Sequence, residues 1–153
     1  MNIAWKYLDK RRGAAQAVRD YRVMKRNIEH TPDDIKAMYV GMIGIGSPNV
    51  DGMPHAHDPK AGEARIVNGI EEIDVMKERY RQATEFMDWY LPAWNCLNDN
   101  EQYVLSTFYR GDDYKIENSV EEVCRHYGIV RSSAYNKKNR ALDHLTLLLY
   151  GKP

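Results

Sequence analysis

Long apolar runs are missing from this 153-residue chain, and with them any stretch long enough to read as a bilayer-spanning helix. Met1 to Arg12 carries charge where a signal peptide needs an apolar core, so the expected location is the cytoplasm. Cysteine is scarce: Cys96 and Cys124 sit in helical patterns without C-x-x-C or Cys/His spacing, which excludes a disulfide framework and a thiolate metal site. Only two Phe and few aligned β-branched runs argue against a sheet, leaving an all-α expectation. A Gly-rich phosphate loop and a nucleophile paired with a base are also lacking, so no catalytic residue, no cofactor and no enzyme are expected. Net charge is zero as well, with 22 basic and 22 acidic residues, so any nucleic-acid surface has to be local.

The charge is in fact segregated. Residues 1–29 hold eight basic against three acidic side chains, residues 30–124 eight against eighteen, and residues 125–153 six against one. In the first basic block, Ile3, Tyr7, Ala14, Ala17, Val18, Tyr21 and Met24 recur at three- and four-residue steps, which predicts an amphipathic helix over residues 2–29. Its other face, with Lys10, Arg11, Arg12, Arg19, Arg22, Lys25 and Arg26, suits phosphate or an acidic partner, or is only a solvated face balanced by the acidic middle. Thr31 as N-cap, Pro32 at the first helical position and Asp33 with Asp34 at the positive end of the dipole predict a separate second helix to about Met42.

Residues 44–58, rich in Gly and Pro, read as a linker. Within it His55, His57 and Asp58 superficially match a metal-ligand set, but a structural site needs a fourth ligand and Asp58-Pro59 also reads as a helix start, so no metal is expected. Residues 59–97 then carry one apolar stripe, from Ile66, Ile70 and Ile73 through Tyr80, Ala83, Met87 and Tyr90 to Trp94 and Leu97. One helix cannot bury such a stripe, so an antiparallel hairpin or coiled-coil-like arm, within the chain or with a second subunit, is expected. Pro92 is expected to end or kink the helix.

The remaining segment, residues 98–153, reads as three helices. Asn98 or Asp99 caps the first, with Tyr103, Val104, Leu105, Phe108 and Tyr109 as its buried side, and Gly111-Asp112-Asp113 breaks it. Ser119 and Glu122 form a candidate capping box for the second, whose apolar face is Val120, Val123, Cys124 and Tyr127. Gly128 stands where a helix end takes a left-handed residue. The third, Arg131 to Tyr150, separates into a packed arc (Ala134, Tyr135, Ala141, Leu142, Leu145, Leu148, Leu149) and an open one (Ser132, Ser133, Asn136, Lys137, Asn139, Arg140). Short polar side chains followed by long cations suit a major groove. Arg131, Ser132, Ser133 and Asn136 are therefore expected at base edges, and Lys137, Lys138 and Arg140 at phosphates.

The run SVEEVCRHYGIVRSSAYNKKNRALDHL, with the segment leading into it from Asp99, resembles the region 4 helix-turn-helix of bacterial sigma factors. It looks most like the small phage-encoded regulators of the ArpU and RinA type, and Asp51-Gly52-Met53-Pro54-His55 followed by Asp58-Pro59 is similar to a Gly-Met-Pro element of those proteins. The resemblance covers about two thirds of the chain. It implies a sequence-specific DNA-binding activator of late phage or prophage genes, acting on double-stranded DNA as a homodimer, with RNA polymerase as a further partner and no membrane. Where such helices usually carry a Ser or Thr cap, this chain has Val130. The alternative is a DNA-packaging protein of the small terminase type, which also joins a helix-turn-helix to oligomerising helices.

Overall fold

The computed structural model describes residues 9–43, 59–110 and 116–151, and among them every regular element is a helix: α1 Lys10–Ile43, α2 Pro59–Asn95, α3 Asp99–Tyr109, α4 Ile116–Tyr127 and α5 Arg131–Tyr150. None of these is long and apolar enough to cross a membrane. The chain divides into two compact units, one of residues 9–23 with 86–110 and 116–151, the other of residues 24–43 with 59–85. The linker carrying His55, His57 and Asp58, and the Gly111-Asp112-Asp113 break, lie outside the described residues.

The first unit has two cores. The larger joins Ala14, Ala17 and Val18 of α1, Tyr90, Trp94 and Leu97 at the end of α2, Leu105 of α3, and Ala141, Leu142, Leu145 and Leu149 of α5. Small residues on α1 let the helices approach closely. At Gly13 a β-carbon would collide with the Tyr150 hydroxyl. Aromatic rings fill the rest, with Tyr90 stacked between Phe86 at 5.2 Å and Trp94 at 5.6 Å. Burial is complete at Tyr90, and desolvation, only partly offset by Arg110, pushes its phenol up to about 12. Tyr109 shifts in the same direction, again chiefly by burial. The folded chain therefore keeps protons that the unfolded chain releases near pH ~10. Stability is expected to hold below that pH and to fall as the pH climbs from about 10 to about 12, with Tyr90 alone contributing up to about 1.4 kcal/mol per pH unit, read from urea midpoints across that range.

The smaller core packs α3, α4 and α5 together through Val104, Val120, Val123 and Ala134, with Tyr103, Phe108, Cys124, Tyr127 and Ile129 around them. Local chemistry sets the helix ends. Asn98 caps α3 in a reciprocal box, its Oδ1 accepting from the Glu101 amide at 2.9 Å while its own amide donates to Glu101 Oε2 at 3.0 Å. Gly128 closes α4 with φ +62°, and the Ile129 amide reaches back to the Cys124 carbonyl at 3.1 Å. No atom would obstruct a side chain at Gly128, so only its backbone conformation demands glycine. Gly128→Ala is accordingly expected to lower stability by about 1–2 kcal/mol, the cost of a left-handed non-glycine residue, as a shift in thermal midpoint.

Four local expectations differ from the structure. α1 does not restart at Thr31: the stripe Met24, Ile28, Thr31, Ile35, Met38, Met42 keeps its phase across Pro32, and Thr31 is 5% exposed. Packing along that stripe outweighs the hydrogen bond Pro32 cannot make, and Asp33 and Asp34 lie within the helix rather than at its start. Pro92 does not end α2 either. It sits on the exposed side while Ala93 and Trp94 stay buried, and the helix runs to Asn95 before Cys96 and Leu97 tighten the exit with amide bonds to Ala93 and Trp94. Ser119 is not the cap of α4, which starts at Ile116. Ser119 is 4% exposed, inside the helix on the arc of Val123, so its side chain is packed rather than free to cap. Tyr135, expected on the packed arc of α5, is 38% exposed and leans on Phe108 at 6.1 Å between ring centres.

In the second unit, Met42 lies on Gly69, where a β-carbon would strike its side chain, and Arg65 donates to the Gly41 carbonyl. Ile73 and Ala83, beyond Gly69 in α2, are buried, as is Thr31, before Met42 in α1. Met38, one turn before Met42, and Glu72, about one turn beyond Gly69, line one cleft with that pair, the arrangement of two segments running in opposite directions.

Candidate nucleic-acid interface

α5 begins without a side-chain cap, because Val130 has no hydrogen-bonding group. The helix is held instead by what its inner face buries: Ala134, Ala141, Leu142, Leu145, Thr146 and Leu149. That burial fixes which side chains point away. Ser132, Asn136 and Arg140 are exposed and Ser133 is half-buried; at 3.6 residues per turn they follow one another along a single outward arc over the first three turns. No hydrogen-bond or ion-pair partner occupies these four side chains among the described residues. Further along the same arc stand Asp143, paired with Arg11 at 3.2 Å, and Leu147, 44% exposed.

The other expected contacts are placed differently. Arg131 donates through Nη2 to Glu121 Oε1 at 3.0 Å, tying the start of α5 to α4; both side chains are well exposed, so the pair is weak and easily exchanged. Lys137 flanks the arc with its ammonium 4.7 Å from the Tyr127 ring centre, and the Tyr127 hydroxyl in turn donates to Asn100 Oδ1 at 3.0 Å. Lys138 turns to the packed side, over Phe108 at 5.4 Å and Tyr135 at 5.2 Å. Desolvation there, with a smaller push from Arg11, lowers its pKa. The structure therefore gathers Ser132, Ser133, Asn136 and Arg140 on one face, sets Lys137 and Arg131 at its margins, and leaves Lys138 across the helix from it.

Lys137 and Arg140 also line a cleft of about 220 Å³ with Asn98, Asn100, Glu101, Val104 and Ala141. Its floor is braced by an interaction that no local pattern announces. His144 Nδ1 lies 2.9 Å from Glu101 Oε1 and 3.0 Å from Oε2, so one carboxylate both completes the α3 cap and anchors α5. The two residues are 43 positions apart, and only the fold relates them.

Part of the basic face of α1 is engaged within the chain. Arg11 meets Asp143, and Arg19 lies 5.2 Å above the Tyr109 ring. No group of three or more His, Cys, Asp or Glu side chains among the described residues could hold a metal ion. Comparison of the chain with family models, curated proteins and solved structures returns no match.

Proposed function

We propose that the chain is a sequence-specific DNA-binding transcription regulator that reads the major groove with the outward arc of α5. The observation carrying this reading is that arc: two hydroxyls, an amide and a guanidinium on consecutive turns, none engaged by another described side chain, on a helix whose opposite face buries Ala134, Ala141, Leu142, Leu145 and Leu149. Short side chains near the helix start let the backbone approach base edges, the amide of Asn136 can accept and donate to adenine together, and Arg140 and Lys137 reach phosphates. A twelve-residue α4, a left-handed glycine and a three-residue turn into α5 are the connection a helix-turn-helix uses. On this reading Arg131 leaves Glu121 for DNA at small cost, whereas Lys138 would have to leave its aromatic bed.

The resemblance to sigma region 4 and to ArpU- and RinA-type regulators extends the reading to activation of late phage or prophage genes, with two copies bound to one target and RNA polymerase as the next partner. The test is selection of bound duplexes from a random pool by the purified full chain. Enrichment of a defined site is expected; recovery of unselected sequence, or of no DNA, contradicts it.

A further inference from the structure

We infer that the face of the second unit formed by Tyr39, Ile43, Ile66 and Ile70 is where a second copy of this chain docks. This deepens the two-copy part of the reading above, yet it rests on residues 24–43 and 59–85 alone.

The seam between α1 and α2 fixes the geometry. Met42 and Gly69 face each other across it. Tyr39 and Ile66 each stand three residues before their seam residue, and Ile43 and Ile70 each stand one residue after it. At about 100° per residue these offsets turn all four side chains in the same sense away from the seam, and because the two segments run in opposite directions that sense leads to the same side of the pair. The result is one apolar face on which the two helices contribute matching pairs. Its members are 43, 74, 48 and 49% exposed in chain order, unusually open for such large apolar residues.

Four considerations select a second copy as the occupant. A layer of two helices buries apolar residues on its seam only, and stacking a second such layer is the four-helix solution to the remainder. The four residues present on the order of 400–450 Å² per chain, close to the apolar share of the roughly 800 Å² that each partner contributes to a standard stable interface. At the rim, Lys36 on α1 and Glu63 on α2 stand six residues before Met42 and Gly69 respectively, so the face is bordered by both signs and self-association meets no uniform charge. The near-equivalence of the two helices suits an isologous contact, in which the same patch serves both partners.

The experiment is sedimentation equilibrium of the full chain without DNA, from about 1 to 100 µM, against the 17.8 kDa monomer mass. A reversible dimer is expected. Ile70→Glu should raise its dissociation constant about a hundredfold or more, since each dimer then buries two unpaired carboxylates. Ile43→Glu probes the same face from the other helix and guards against a folding defect in the first variant, while Val75→Glu, exposed on the opposite side of α2, should leave the dimer intact. A wild-type chain that is monomeric throughout overturns the inference. So does a ring-sized assembly, or a dimer indifferent to both Ile70→Glu and Ile43→Glu. Because no DNA is present, failure here is separable from failure of the DNA reading.

Discussion

Asn136→Ala is expected to bind random duplex DNA as the unaltered chain does, but to lose about 10- to 100-fold in affinity for its selected site. The amide is exposed on the outward arc and engages no other described side chain, so on the proposed reading truncation removes a base contact and little else. A well-placed amide pair is worth about 1–3 kcal/mol of discrimination, or about 5- to 150-fold in affinity, which brackets the expected loss. Arg140→Ala should behave in the opposite way, weakening binding to selected and random duplexes about equally and reducing the salt slope by about one. Lys137→Ala should follow Arg140→Ala, with a smaller loss from its position at the margin of the arc. Lys138→Ala should change DNA affinity least of the three, because its ammonium lies over Phe108 and Tyr135. Titrations of all four variants against both duplexes at several salt concentrations check the assignment. Equal effects of Asn136→Ala and Arg140→Ala on the two duplexes would contradict it.

Arg110→Ala is expected to destabilise the first unit by about 2–4 kcal/mol, a drop of about 5–15 °C in the thermal midpoint. The guanidinium is sandwiched between the rings of Tyr21 at 4.0 Å and Trp94 at 4.2 Å, and its Nη2 donates to the Tyr90 hydroxyl at 3.1 Å. It also forms the C-cap position of α3, so one side chain joins α3 to the aromatic residues of α1 and α2. Truncation removes two stacked cation contacts and leaves the phenol without its donor in a dry site. Its Nε is buried without a partner, an existing penalty that moderates the loss. Arg110→Lys should recover only a minor part, since a compact ammonium cannot lie flat between two rings. An unchanged midpoint in Arg110→Ala would remove the sandwich from the account of stability.

Helix type, a cap at Asn98 or Asp99, the left-handed Gly128 and the uncapped start of α5 were legible because each is decided by neighbours within a turn or so in sequence. Thr31-Pro32 and Ser119 misled for a common reason. Their start signals are locally correct, but Thr31 and Ser119 are both buried on the packed side of a helix that begins before them, and that burial decides. At the site, periodicity separated the faces of α5 well enough to group Ser132, Ser133, Asn136 and Arg140. It could not place Lys138, whose position is set by Phe108 in another helix, nor reveal the Glu101–His144 brace or the ring sandwich at Arg110. Contacts between residues in different helices leave no periodic trace. The apolar stripe of α2 was visible as one continuous feature, but only the seam at Gly69 divides it into buried positions such as Ile73 and open ones such as Ile66 and Ile70.

Methylation interference on the selected duplex tests the central claim most directly, because methyl groups on guanine N7 lie in the major groove and those on adenine N3 in the minor groove. The outward arc of α5 entering the major groove predicts that guanine N7 methylation at a few adjacent positions blocks binding, while adenine N3 methylation there does not, and that Asn136→Ala alters the pattern at those positions. Interference confined to adenine N3, or a pattern untouched by Asn136→Ala, would contradict it.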